Sequence, residues 1–239
     1  MKWVLWREYR LNRLIRIVGA VLMLLPYVFV LIGLVAAHWM SERPAIGAPS
    51  PPNPVLFVGG AALYSMALSL LTLTLLAGNA FAGERADRSA EYLAYLPLSR
   101  LRRLAAKLLL TLGTMVSIWG FNILVLLVLY FILLATPSAA PSVKPDDVLI
   151  PLGLFALSGL IMFSVAWLVS SLQSSPTFAV AAGLIAPWLL ALALQGAAFL
   201  FDPEEFGFIV VIGYAVAALL LAVACFSTGT WYYLRRVEP

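Results

Sequence analysis

The sequence predicts an all-α membrane protein: six transmembrane helices, an N-terminal amphipathic interfacial helix, and a further short helix on the loop between the second and third spans. Three observations carry this. Mean hydropathy is +1.01 over 239 residues, with 63% hydrophobic and 11% charged residues, which no water-facing surface tolerates. Six continuous apolar runs each reach the roughly 20 residues that a helix needs to cross a bilayer. The basic residues gather beside alternate ends of those runs, as they do in membrane proteins. The runs lack the alternation of a lipid-facing barrel strand, so helices are the only spanning structure available.

Residues 1–18 form the expected interfacial helix. Val4, Leu11, Leu14, Ile15 and Val18 share one side, Lys2, Arg7, Arg10, Arg13 and Arg16 cover the other, and Trp3, Trp6 and Tyr9 suit headgroup level. The apolar run behind this basic start is longer than the roughly 7–15 residues of a signal-peptide core, and "VAAHWM" is a poor cleavage site. The spans are expected at about 14–38, 55–77, 105–135, 148–172, 177–201 and 208–234, all within one transmembrane domain, 1–239. Thirteen of the fifteen Lys and Arg lie in the first sixteen residues, in Arg85–Lys107, or at Arg235–Arg236. The loops at 39–54, 136–147 and 202–207 hold only Arg43 and Lys144 against six acids. With both termini in the cytosol, all six spans obey the positive-inside rule. The net charge of +4 is therefore topological and calls for the lipid bilayer as partner, with no nucleic acid. The Pro-rich stretches "SERPAIGAPSPPNP" and "TPSAAPSVKPDD" become short, stiff outside loops.

The spans carry no Asp, Glu, Lys or Arg away from their ends. Such a charge costs about 2.5–3.5 kcal/mol at mid-bilayer and usually marks an ion or proton path, so a carboxylate-relay carrier and a charge-ringed channel are both disfavoured. Ser65, Ser69 and Thr72 make one stripe on the second span, and Ala179 and Gly183 a small-xxx-small pair on the fifth; such patterns read first as helix-packing seams. The only histidine, His38, stands at a membrane border beside Trp39, and the only cysteine, Cys225, lies in the last span. No zinc motif, Ser/His pair or disulfide can be assembled from these, so no catalytic residue, metal ligand or cofactor site is expected in this chain. "GNAFAGER" at Gly78–Arg85 has the two glycines of a phosphate loop, but Glu84 stands where that loop needs lysine.

Residues 83–104 are the unusual stretch. Between Glu84 and Lys107 lie nine charges, six of them basic. A solvated loop would account for charge alone. Tyr92, Leu93, Tyr95 and Leu96, however, fall on one short helical segment ended by Pro97, and a loop without a partner has little reason to show them to water. An aromatic and aliphatic patch rimmed by Arg and Glu has the composition of a docking surface. Ser99 is placed to cap the next helix, which carries Arg100, Arg102 and Arg103 toward Lys107.

The run "FAGERADRSAEYLAYLPLSRLRRLAAKLL" resembles the signature of type-2 ATP-binding-cassette (ABC) exporter permeases. The matching positions are Glu84, Arg85, Ser89, Glu91, Leu93, Leu96, Pro97, Ser99, Arg100 and Lys107. The likeness extends to the six spans, the amphipathic start and the short loop "LQSSPT"; Ser89–Ala90 departs from the Gly–Thr of many members. The resemblance implies a coupling helix within 83–104 that docks on a separate cytosolic ATPase subunit through Glu84, Arg85, Glu91, Tyr92, Leu93, Tyr95, Leu96, Pro97 and Arg100. It further implies a second permease chain, identical or sister, and a plasma-membrane location in a bacterial cell. ATP and Mg would be bound by the partner subunit, so this chain would not itself be an enzyme. Chargeless spans suit a lipid-like or amphipathic cargo. A different reading of the same segment is a non-transporting membrane scaffold or assembly factor that recruits a cytosolic protein. An intramembrane enzyme is disfavoured by the lone border histidine.

Overall fold

A computed structural model describes residues 2–41, 54–86, 99–135, 146–198 and 206–235. Among these, seven helices and no strands are found: α1 (Lys2–Leu11), α2 (Arg13–Ser41), α3 (Pro54–Ala86), α4 (Arg100–Ala135), α5 (Asp146–Leu172), α6 (Pro176–Ala198) and α7 (Phe206–Arg235). The six from α2 onward are long and apolar enough to cross a membrane, as the hydropathy predicts for an integral membrane protein. Residues 87–98, the middle of the expected coupling segment 83–104, lie outside the described residues.

Two boundaries differ from expectation. The chain turns at Asn12, so residues 13–18 open the first spanning helix rather than completing a separate one. The second spanning helix continues past Ala77 to Ala86, because its last turns, although polar, are packed between neighbouring helices and keep their burial.

Helix α3 is the axis of the bundle. It packs against α2, α4, α5 and α6, and 61% of its most apolar window is buried, against 11% for α2 and for α4. The small polar residues of α3 explain how it accepts so many neighbours. Ser65 donates to the Met23 carbonyl of α2 at 2.9 Å, Ser69 accepts from Trp119 Nε1 of α4 at 3.0 Å, and Thr72 is buried against Gly19 of α2. This stripe is a packing seam of side chains small enough for close approach; Ser65 and Ser69 use their hydroxyls locally, while Thr72 contributes through contact with Gly19. The Ala179/Gly183 pair does the same on α6. A Cβ at Gly183 would stand 2.7 Å from the Met162 carbonyl oxygen of α5, so only glycine lets those backbones meet.

Farther along, α2 and α4 are tied by Tyr27, whose hydroxyl donates to Asn122 Oδ1 at 2.7 Å; Asn122 in turn donates to the Ile118 carbonyl at 2.8 Å. At the end of the bundle that carries α1, an aromatic group closes the core. Phe81 stacks on Tyr233 with centroids 4.3 Å apart and meets Trp167 edge-on at 4.6 Å, while Trp167 Nε1 donates to Thr230 Oγ1 at 3.2 Å. Trp167 is fully buried and satisfies its polar atom, the condition under which a core accepts tryptophan.

Candidate functional site

The same end holds the densest arrangement of charge among the described residues, and it begins with helix phase. On α1, Val4, Glu8 and Asn12 fall at four-residue spacing and turn inward, while Trp3, Trp6, Tyr9 and Leu11 are exposed. The inner face of α1 therefore carries an acid, and Leu11 and Leu14 of the expected apolar side point outward instead. On α4, the Ser99 carbonyl accepts from the amides of Arg102 and Arg103 at 3.0 and 3.3 Å, and its hydroxyl from Arg102 at 3.4 Å. This cap starts the helix in the phase that sends Lys107 into the bundle.

Lys107 is 4% exposed. Its Nζ lies 2.9 Å from Glu84 Oε1 of α3 and 3.4 Å from Glu8 Oε2 of α1, donates to the Ala80 carbonyl, and stands 5.8 Å from the Phe81 ring centroid. Arg7 closes the group at 3.7 Å from Glu84 and 3.9 Å from Glu8. Two carboxylates thus face two cations, the balance that allows charge to be buried at all. Asn79 of α3 donates to Asn12 Oδ1 at 3.1 Å, and Asn12 Nδ2 to the Glu8 carbonyl at 3.0 Å, which adds neutral bonds to the same joint.

A second set of contacts ties this joint to the other half of the bundle. Ser170 of α5 accepts from the amides of Phe81 and Ala82 at 3.0 Å through its hydroxyl, and from Arg85 through its carbonyl. Arg100 donates to the Leu234 carbonyl near the end of α7 at 3.1 Å, where a cation is favoured by the helix dipole. The two helix ends that bracket residues 87–98 are each fastened, α3 to α1, α4 and α5, and α4 to α1, α3 and α7.

Of the residues expected to dock a partner, Glu84 is buried beside Lys107, and Arg85 and Arg100 are half-buried on the carbonyls just described. Glu91, Tyr92, Leu93, Tyr95, Leu96 and Pro97 lie outside the described residues. Gly78–Arg85 is continuous helix, so its two glycines do not form a phosphate loop. Among the described residues, no three His, Cys, Asp or Glu side chains come together as metal ligands. What the arrangement offers among the described residues is a charge-paired joint between α1, α3 and α4. Sequence reasoning missed Glu8, Arg7 and Ser170. One signal was present: Glu8 is the only acid in the first forty residues, in phase with Val4 and Asn12. Comparison with protein-family models, curated proteins and solved structures finds no match to this chain.

Proposed function

We propose that this chain is the transmembrane permease subunit of an ATP-driven exporter of the type-2 ABC class, working with a separate cytosolic ATPase. The carrying observation is the segment 83–104. Its tyrosine and leucine patch with an Arg and Glu rim is that of a docking surface, it matches the permease signature, and it is bracketed by two helix ends fastened into the bundle. On this reading both termini and the segment face the cytosol of a bacterial cell. ATP-driven closure of the ATPase pair pushes on Tyr92–Pro97. The Glu8–Lys107–Glu84 joint then keeps α1, α3 and α4 together, so the push reaches the spans as a rigid displacement. Two permease chains repacking against each other would open a path for cargo that is lipid-like or amphipathic. The chemistry of ATP and Mg belongs to the partner.

The test is co-purification. Leu93→Asp with Leu96→Asp is expected to abolish recovery of the ATPase while membrane insertion and thermal stability stay as in the parent chain. Survival of the complex in that double variant contradicts the docking assignment. The scaffold reading rests on the same patch and is separated from transport by cargo. A purified complex that hydrolyses ATP but moves no lipid or amphiphile across a vesicle membrane would favour the scaffold.

A further inference from the structure

Between α2 and α4, beneath α1, runs a groove of about 590 Å³ with polar residues at one end and apolar walls below. Tyr9, Arg13, Arg16, Thr114 and Ser117 form the polar end, and Met23, Ile118 and Phe121 are among the apolar walls. An adjoining hollow of about 490 Å³ shares Tyr9, Arg16, Thr114 and Ser117 and extends under Trp6. No carboxylate lines either among the described residues. Arg16, itself half-buried, packs its guanidinium on Tyr9, 4.2 Å from the ring centroid, and its Nη1 is covered with no hydrogen-bond partner among the described residues. A guanidinium with a covered nitrogen and no acid among the residues lining its groove is costly in a membrane unless an anion meets it.

The depth of the site narrows the anion. Helices α2 and α4 are in register where Tyr27 bonds Asn122, which puts Arg16 level with about residue 111 of α4. Ser117 then lies roughly 9 Å deeper, at 1.5 Å per residue. The groove therefore changes from cationic to hydroxyl-lined to apolar over the distance between a phospholipid phosphate and its acyl chains. We infer that this groove holds a resident anionic phospholipid, its phosphate on the Arg16 and Arg13 guanidinium groups and a chain against Met23, Ile118 and Phe121. Arginine is the side chain best shaped for phosphate, and Trp6 and Tyr9 stand where aromatic residues flank headgroups. The lipid would bridge α1, α2 and α4 on the side of α1 opposite the ion-pair joint. This inference needs only an integral membrane protein and is independent of the transport reading.

The experiment uses the full chain in a neutral detergent, with thermal unfolding followed by tryptophan fluorescence. Short-chain phosphatidylglycerol, phosphatidylcholine and inorganic phosphate are added separately, and native mass spectrometry reports retained lipid. Phosphatidylglycerol is expected to raise the midpoint and remain bound, while phosphatidylcholine and phosphate at equal concentration do neither. Arg16→Gln is expected to weaken phosphatidylglycerol binding roughly tenfold or more, the effect of losing one hydrogen bond to a charged group. Arg102→Gln, an exposed cation on α4 outside the groove, should leave it unchanged. Equal stabilisation by phosphatidylcholine, full stabilisation by phosphate alone, or unaltered affinity in Arg16→Gln would overturn the inference. Should Arg16→Gln fail to fold, the three-ligand comparison on the parent chain still decides it.

Discussion

Lys107→Met removes the cation at the centre of the joint while keeping an unbranched chain of similar length. Glu8 and Glu84 are then left facing one another with Arg7 alone, and Arg7 stands at 3.7 and 3.9 Å rather than at the 2.9 Å of the Lys107–Glu84 pair. Breaking a buried ion pair by removing one partner costs about 3–5 kcal/mol. For a chain of this size each kcal/mol corresponds to about 2–4 °C in the unfolding midpoint, so a fall of about 6–20 °C is expected in detergent. Arg7 draws the result toward the lower half of that range. The assay is tryptophan fluorescence against temperature, because Trp167 lies on Phe81, the ring beside Lys107. Glu8→Gln provides the second corner of a double-mutant cycle. Since Glu8 and Lys107 are in contact, the double variant should depart from additivity by about 0.5–3 kcal/mol. Arg102→Gln, exposed on α4, should stay within about 0.5 kcal/mol of the parent. If Lys107→Met moves the midpoint no more than Arg102→Gln does, or if the two joint substitutions simply add, the cluster does not clasp these helices and the reasoning fails.

Other substitutions probe the bundle and its orientation. Gly183→Val should destabilise the chain by at least about 1–3 kcal/mol through overpacking, since its first side-chain atom meets the Met162 carbonyl. Gly113→Ala, with nothing within 4 Å of the added atom, should be neutral or stabilising by up to about 1 kcal/mol; both are read from unfolding midpoints. Trp167→Ala should cost about 3–5 kcal/mol and leave Thr230 without its donor, seen as a lowered midpoint and lost near-ultraviolet dichroism. In a Cys225→Ser background, a cysteine at Arg88 should resist a membrane-impermeant thiol reagent applied to intact cells, while one at Ala45 reacts. The reverse pattern would invert the orientation inferred from the charges.

How far the sequence could be read depended on which force places each residue. Lipid solvation acts on every residue of a span alike, so hydropathy alone located α2 to α7. The seam of Ser65, Ser69 and Thr72 was legible because helical spacing puts them on one face and small residues mark helix contacts. Hydropathy did not find the last turns of α3, since it reports contact with lipid and Asn79 to Arg85 are covered by other helices. Nor was the joint visible, for Glu8 and Lys107 are 99 positions apart and meet only through the packing of α1 on α4. Their phase also runs against the amphipathic pattern of residues 1–18, in which five basic residues define a polar side and the single acid, Glu8, lies close to the apolar one. Ser170 could not be told from other span serines, because what distinguishes it is the pair of α3 amides aimed at its hydroxyl.

The proposed permease role requires that the segment between α3 and α4 be held by a nucleotide-hydrolysing partner. A photo-crosslinking amino acid at Tyr95, introduced into the full chain and activated in its native membrane, measures this directly once the adduct is identified by mass spectrometry. The expected product is an adduct with a cytosolic ATPase that carries a phosphate loop, lost in Leu93→Asp with Leu96→Asp. An adduct with lipid or with an exterior protein, or no adduct in a membrane where the chain is intact, would contradict that role.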